Sequence, residues 1–586
     1  MRLSITPDLS TPRRLLILAI GVTVVVSAVL ASIGRDITSS LGDTDDALRL
    51  VQVRELLAGR GWYDQLVTRF QPPAGLWMHW SRLLDGAIAG FESLLRLGLP
   101  APTAEWATRF FWPLLLIFPC VACLLAVARS LGDRSAVLIA AILLVIVYQP
   151  YVQFRPGRID HHNVQILLAM AALAAAVSAR ESLGSALTAG AASGLGLAIG
   201  LEALPFHALV GAGFAVALLL DRGQWRRSAC YAAALTTTTW AAFLAQTPPA
   251  RWGLSFCDAL GINLVVAVSL AGLGLMAASL CARGRRVWPV VAILAATGGV
   301  SLGAFLSLDP ACLAGPLGAV DPRVRPFWFD QVQELQTWPR HFVIDRGAAI
   351  YQLVTFAMAL AALAYLAWSK RRTHLFEIGL VGANLLVAGA ATYGALRMQD
   401  YLFWFSLPVI AAALSRVASR RLDDRLAPTV ALAVLLTPAF VATSASAAAD
   451  LADPPARTPP VAADACASIA ALRPLDRFPP GLVLSDIDLG PHIIANTRHS
   501  AVVGPYHRMP QSILAAHEAL YGPSASAEAR VRSLGADYVA ECPSSKAPLV
   551  RGSLRDQLKR RLIPAWLMPL SGDRDPVRLY RVRPLT

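Results

Sequence analysis

A carboxylate and two imidazoles stand in consecutive positions at Asp160-His161-His162, between Arg158 and Asn163. Oxygen and nitrogen donors this close can share one divalent cation, since both suit Mg²⁺, Mn²⁺ or Zn²⁺. The competing reading is a solvated polar turn. The flanking sequence weighs on the choice: apolar runs at 136–148 and 164–178 lead into and away from the hexapeptide. It therefore lies at a bilayer edge, where ionisable groups are expensive and usually functional.

Three more stations carry similar chemistry. Asp43, Asp45 and Asp46 place three carboxylates within four residues of Gly42-Asp43-Thr44-Asp45-Asp46. They repel one another and are either solvated or holding a cation. Glu334, within Asp330–Trp338, is a further acid whose neutral reading is a half-exposed loop helix. Arg397 stands at the junction of two apolar runs. It either snorkels to the interface or grips a phosphate through its planar fork. Residues 76–97, with His79-Trp80-Ser81-Arg82 near their start, read as an amphipathic helix lying flat in the membrane interface.

The elements that position these groups are membrane spans. The chain has 586 residues, 55% hydrophobic and only 15% charged. About 20 apolar residues cross a bilayer, and such runs recur near 15–33, 106–128, 135–152, 163–179, 184–203, 205–221, 228–246, 259–281, 287–307, 347–368, 376–394, 398–415 and 427–446. The expected fold is a polytopic α-helical membrane protein of about thirteen transmembrane helices with a small C-terminal extracytoplasmic α/β domain. Basic clusters at Arg13-Arg14, Arg129/Arg134, Arg222/Arg226/Arg227, Arg283/Arg285/Arg286, Lys370-Arg371-Arg372 and Arg416–Arg425 fall in alternate connections. The positive-inside rule makes these cytoplasmic, with the N-terminus inside. All four acidic or basic stations then lie on the external face, in connections 34–105, 153–162, 308–346 and 395–398. The formal net charge of +14 is largely this topogenic arginine, and no nucleic-acid motif accompanies it. Val29-Leu30-Ala31 also fits a small-residue cleavage site, so a removable leader is the alternative to a first anchor.

Residues 1–446 thus form the membrane part, 447–460 a Pro/Ala-rich linker and 461–586 an external domain. In the last, 482–484, 501–503 and 537–540 read as strands and 510–520 and 526–534 as helices, the alternation of a small α/β fold. Cys466 and Cys542 lie on the oxidising side and are either disulfide-bonded or two free thiols. The other six cysteines follow no metal-ligand spacing.

In order and sidedness, these motifs resemble the catalytic subunit of oligosaccharyltransferase, particularly the single-subunit bacterial and archaeal enzymes, within the C-fold glycosyltransferases. The resemblance implies that Asp46 is the first-loop aspartate, that Asp160 and His162 are the metal-binding pair of the archaeal version, that Glu334 belongs to the fifth-loop motif, and that Arg397 holds the lipid-linked phosphate. It implies catalytic roles for Asp46, Asp160 and Glu334, and a metal set of Asp46, Asp160, His162 and Glu334 around Mg²⁺ or Mn²⁺. The donor would be a polyprenyl-linked sugar, the acceptor a glycan, lipid or protein, and the site the bacterial inner membrane. The sequence departs where the family reads its acceptor sequon. Ser485-Asp486-Ile487-Asp488-Leu489-Gly490-Pro491-His492 stands where that family has Trp-Trp-Asp-Tyr-Gly. Asp488 and His492 are the acceptor-region candidates, and Arg498-His499 to Gly504-Pro505-Tyr506-His507-Arg508 resembles the turn that follows. Two other classes compete: a transporter or flippase of lipid-linked saccharide, and a non-catalytic polysaccharide-assembly subunit. Charges crowded on one face and the lack of an internal repeat weigh against a transporter.

Overall fold

The structure is a computed structural model and describes residues 12–33, 37–178, 182–284, 286–318, 320–369, 374–421, 426–452, 465–545, 547, 549–572 and 575–585. Arg285, Lys370-Arg371-Arg372, Arg425 and the Pro-rich stretch 453–460 lie outside those residues.

Each of the thirteen expected apolar segments contains a helix. These are α1 (Pro12–Ile33) and, after the loop helices α2 (Thr44–Leu57) and α3 (Arg82–Arg96), α4 (Ala101–Leu131), α5 (Arg134–Ile146), α6 (His162–Val177), α7 (Leu183–Ile199), α8 (Leu204–Leu220), α9 (Trp225–Gln246), α10 (Ile262–Cys281) and α11 (Trp288–Leu308). A short α12 (Trp338–Ile344) then precedes α13 (Arg346–Ser369), α14 (Leu375–Gly394), α15 (Gln399–Arg421), α16 (Leu426–Leu435) and α17 (Pro438–Ala452). Seven of them are long and apolar enough to cross a membrane alone, among the described residues. The last expected span is broken: α16 and α17 meet at a bend of 46°. Pro438 explains the break, because its ring cannot continue a hydrogen-bonded turn. α5 to α8 are shorter apolar helices. α17 runs to Ala452, so the first part of the expected linker is helical.

The bundle is built around α15, whose apolar window is 83% buried. Trp404 on α15 is fully buried and donates from Nε1 to the Pro150 carbonyl at 3.0 Å. It packs on the rings of Tyr151 and Phe154, which fixes the turn leading to Arg158. The outermost helix is the opposite case. In α11, Trp288, Val300 and Leu302 are exposed, an apolar surface that suits lipid and not water.

The tail carries a five-stranded sheet in the order β4-β3-β5-β7-β6, after a small hairpin of β1 (Leu66–Val67) and β2 (Leu76–Trp77) in the first loop. Its strands are β3 (Leu482–Leu484), β4 (Ser500–Ala501), β5 (Tyr538–Glu541), β6 (Leu567–Pro569) and β7 (Arg578–Val582). β3 pairs in parallel with β4 and β5, while β7 is antiparallel to β5 and β6. The tail helices are α18 (Ile469–Leu472), α19 (Leu489–Asn496), α20 (Pro510–Tyr521), α21 (Ser524–Ser533) and α22 (Leu554–Lys559). The expected helices of the tail and its strands at 482–484 and 537–540 are present, and the strand expected at 501–503 is met by β4 at Ala501 alone; α18, α19, α22, β6 and β7 were not foreseen.

Tail and first loop do not fold apart. Leu48, Val51, Phe70 and Leu84 share one buried cluster with Leu484, Val503, Ile513 and Val539. Arg69 donates to the carbonyls of Ile494 at 2.6 Å and Thr497 at 2.5 Å, and Gln71 N–H donates to the Ala501 carbonyl at 2.9 Å. This joint core holds the first-loop acids and the tail turn 504–508 in fixed relation. Two disulfides brace the same side. Cys466 and Cys542 are bonded, resolving the two sequence alternatives, and Cys257–Cys312 ties the α9–α10 connection to the one after α11.

Candidate active site

The first-loop acids are placed by the start of α2. Gly42 has φ +92°, a left-handed conformation that glycine adopts without strain. Asp43 then caps the helix, accepting from the amides of Asp45 and Asp46 at 3.0 Å each. Asp46 turns inward and is 1% exposed. Its Oδ1 accepts the amides of Ile159 at 2.9 Å and Asp160 at 3.1 Å, and its Oδ2 accepts from Arg158 Nη1 at 2.8 Å. Arg158 also pairs with Asp43 and donates to Gln153 Oε1 at 2.8 Å. Asp46 therefore fastens the first loop to the second.

Asp160 is buried between two imidazoles. Its Oδ1 lies 2.5 Å from His161 Nδ1 and its Oδ2 lies 2.5 Å from His162 Nδ1, and the rings stack at 4.4 Å. Burial opposes charge here, yet the imidazoles of His161 and His162 hold Asp160 well below the usual carboxylate range. Against the same burial, Asp160 and Glu202 push His161 up to about 10. Behind Asp160 stands fully buried Arg49, whose Nη1 donates to Asp85 Oδ1 at 2.7 Å and whose guanidinium lies 4.3 Å over the Trp80 ring. α3, expected to lie flat from residue 76, instead starts at Arg82 and is anchored by Arg82 and Asp85 in buried ion pairs.

Arg397 completes the group from the junction of α14 and α15. Its Nη2 lies 3.3 Å from each of Glu334 Oε1, Glu202 Oε1 and His162 Nε2. Glu334 reaches it because the loop carrying it is pinned to the same junction, with Leu396 N–H donating to the Gln336 carbonyl at 3.1 Å. That loop forms short 3-10 turns at Phe329–Gln331 and Gln333–Leu335 where a half-exposed helix was the neutral expectation. Asp46, Asp160, His162, Glu334 and Arg397 thus converge from across the chain.

Three features differ from expectation. First, Asp45, not Asp46, lines the cavity of about 190 Å³ that also meets His161, Glu202, Glu334 and Arg397; Asp46 has its oxygens committed to amides and Arg158. Secondly, Glu202 was missed, although a lone acid between two apolar runs was a readable signal. Thirdly, Asp488 is exposed and His492 is buried on α19, which packs on α2. Neither lines the cavity; Tyr506, His507 and Arg508 do.

The donor set fits a divalent cation. Ligand atoms of Asp160, His161 and His162 lie within 4.8 Å of one another. Burial, reinforced by Asp160 and Asp43, holds Asp45 well above the usual carboxylate range. Such like-charge repulsion is what a bound cation relieves.

No protein-family model matches the sequence, and no curated protein matches it in sequence. Structures do. The archaeal oligosaccharyltransferase AglB from Archaeoglobus fulgidus, in complex with an inhibitory peptide and a dolichol-phosphate, superposes with a TM-score of 0.64 over 90% of this chain and 69% of its own, at 15% identity. The fold is that of the archaeal oligosaccharyltransferase. The same enzyme in complex with Zn and sulfate gives 0.60 at 15% identity, over 90% and 68% of the two chains. Tethered to an acceptor peptide containing the NVT sequon, it gives 0.65 at 14% identity, over 94% and 73%.

Proposed function

We propose that the chain is a membrane glycosyltransferase that moves a sugar or oligosaccharide from a polyprenyl-phosphate or -pyrophosphate donor to an acceptor at the external membrane face. The observation that carries this reading is the meeting of Asp45, His161, Glu202, Glu334 and Arg397 on one cavity, with Asp160 and His162 bonded directly behind His161 and Arg397. A fold shared with an enzyme solved with dolichol-phosphate supports it.

The donor's lipid tail stays in the bilayer and its head enters the cavity. Arg397 presents a planar fork to the phosphate, steadied by Glu202 and Glu334. A divalent ion held by Asp160, His161 and His162, with Asp45 and Glu334 facing it, would act as a Lewis acid on the negative charge of the departing phosphate. Imidazole donors suit Zn²⁺ and carboxylates suit Mn²⁺ or Mg²⁺, and the archaeal enzyme was crystallised with Zn. Asp46 holds the two acidic loops in register. Glu334 is engaged by Arg397, so it orients the donor side of the reaction.

We also propose that the acceptor is a hydroxyl- or amine-bearing glycan, lipid headgroup or other non-sequon group. Asp486, in the stretch that replaces the family's tryptophans, is spent on Tyr521 Oη at 2.5 Å and Arg555 at 3.3 Å. No tryptophan wall stands there to read a sequon side chain. On the same reading the protein sits in the bacterial inner membrane with its tail outside, where both disulfides would form. Purified protein in detergent, given a radiolabelled lipid-linked saccharide pool and either an Asn-x-Ser/Thr peptide or a membrane glycolipid extract, tests it. Label in the glycolipid and none in the peptide is expected; efficient, Ser/Thr-dependent labelling of the peptide would overturn the acceptor assignment.

A further inference from the structure

In the same cavity, three segments far apart in sequence bring together His79, Asp258, His507 and Arg508. His79 comes from the first loop, Asp258 from the α9–α10 connection, and His507-Arg508 from the tail. Ligand atoms of His79, Asp258 and His507 lie within 4.8 Å of one another. A second cation site is the obvious assignment, but the bonding argues against it. Arg508 grips both oxygens of Asp258, Nε to Oδ2 and Nη2 to Oδ1 at 2.7 Å each. A guanidinium occupying the carboxylate in this way leaves two imidazoles beside a fixed positive charge, a poor set for a cation.

The same bonding suits orientation of a base. His507 Nε2 lies 2.7 Å from Asp258 Oδ2. Burial alone would raise the Asp258 pKa, but the hydrogen bonds from His507 and Arg508 hold it low, so the carboxylate is ionised and accepts the hydrogen bond from His507 Nε2–H. That fixes the tautomer and leaves Nδ1 as the basic nitrogen. His79 packs edge-on to His507 at 4.7 Å, and its buried Nδ1 has no partner among the described residues. Trp77, Trp80, Phe256 and Trp328 line the cavity beside them. Flat apolar faces next to a few polar groups are the surface on which sugar rings stack while their hydroxyls are hydrogen-bonded.

We propose that His507, oriented by Asp258, is the general base for a saccharide hydroxyl acceptor held against this aromatic wall. The imidazole Nδ1 takes the hydroxyl proton as the acceptor oxygen bonds to the anomeric carbon. The carbon–oxygen bond to the phosphate breaks, and the phosphate leaves with the electron pair on the Arg397 side. An amide nitrogen has its lone pair delocalised into the carbonyl, so removal of a proton by one imidazole suits a hydroxyl oxygen better; the dyad deepens the non-sequon reading above and rests on it.

The experiment compares wild type, His507→Ala and His507→Gln in transfer from a radiolabelled lipid-linked saccharide pool to a membrane glycolipid extract, with donor affinity measured separately. A positioned base contributes roughly 10²–10⁴-fold. Both variants should lose transfer in that range with donor affinity unchanged, and imidazole added to His507→Ala should restore rate in proportion to its free-base form. Wild-type transfer rates in the variants, or a folded, donor-binding His507→Ala that imidazole does not rescue, would overturn the dyad. Wild-type protein that binds the donor yet labels no acceptor would overturn the glycosyltransferase reading itself, and the dyad with it.

Discussion

Asp45 and Asp46 are neighbours in sequence with opposite work, and separating them is the sharpest test of the site geometry. The Asp46 carboxylate accepts two buried amides and the Arg158 guanidinium. Asp46→Ala leaves those donors without their acceptor. Removing one partner of a buried ion pair costs about 3–5 kcal/mol, and each orphaned amide about 1–3 kcal/mol. Arg158 keeps Asp43 and Gln153, which offsets part of the loss, so a total on the order of 3–5 kcal/mol is expected. No hydrogen bond reaches the Asp45 carboxylate among the described residues; burial and the charges of Asp160, Asp43 and Glu334 oppose its ionisation, against the attraction of His161 and Arg397. Asp45→Ala should therefore be neutral or slightly stabilising. The assay pairs thermal denaturation in detergent with transfer activity. Both variants should lose transfer, but only Asp46→Ala should denature at lower temperature. Equal stability of Asp46→Ala and wild type would refute the fastening role, and an unstable Asp45→Ala would refute the cavity-facing one.

Arg397→Lys keeps the charge but loses the fork; with a charged hydrogen bond worth about 1.5–3 kcal/mol, donor affinity should fall about 10- to 150-fold, and unchanged affinity would mean that Arg397 merely snorkels. Cys257→Ser opens a link across 55 residues, and about 2–4 kcal/mol of stability should go with it, read as earlier denaturation than wild type under oxidising conditions, a difference that should shrink once reductant opens both disulfides in each protein. Asp258 has a folded-state pKa below its unfolded value near about 3.9. Its contribution to tail docking is thus present above that pH and lost as pH falls further; limited proteolysis of the tail should be unchanged between about pH 8 and 5 and rise below about 4, whereas Asp258→Asn should be cleaved faster throughout. A cysteine at Ala525 should react with an impermeant thiol probe in intact cells, and labelling only after permeabilisation would reverse the assigned orientation.

Much of the bundle was legible because a lipid solvent demands long apolar runs, and the arginine clusters mark alternate connections. The breaks at Pro205 and Arg397, uncertain in hydropathy, are real ends of helices in the fold. The convergence of Asp160, Glu334 and Arg397 was expected from the order and common sidedness of their motifs together with the resemblance to the oligosaccharyltransferase subunit. What sequence could not separate was Asp45 from Asp46: which of two adjacent carboxylates turns inward depends on the capping of α2 and on the amides of residues 159 and 160. Glu202 carried a readable signal as a lone acid between two apolar runs, but its partners, His161 and Arg397, are apparent only in the fold. The tail was read as a separate domain, since a shared core with the first loop leaves no periodic signal in either segment. His507 and Asp258 were passed over for the same reason: each gains meaning only beside the other.

The most direct test of the site's chemistry is transfer from a radiolabelled lipid-linked saccharide pool by purified protein in detergent, with and without chelator, for wild type and Asp160→Ala. A metal-dependent glycosyltransferase requires wild-type transfer that chelation stops and Mn²⁺ or Zn²⁺ restores, with no transfer by a folded Asp160→Ala. Transfer that persists in Asp160→Ala, or that ignores both chelator and added metal, would contradict it.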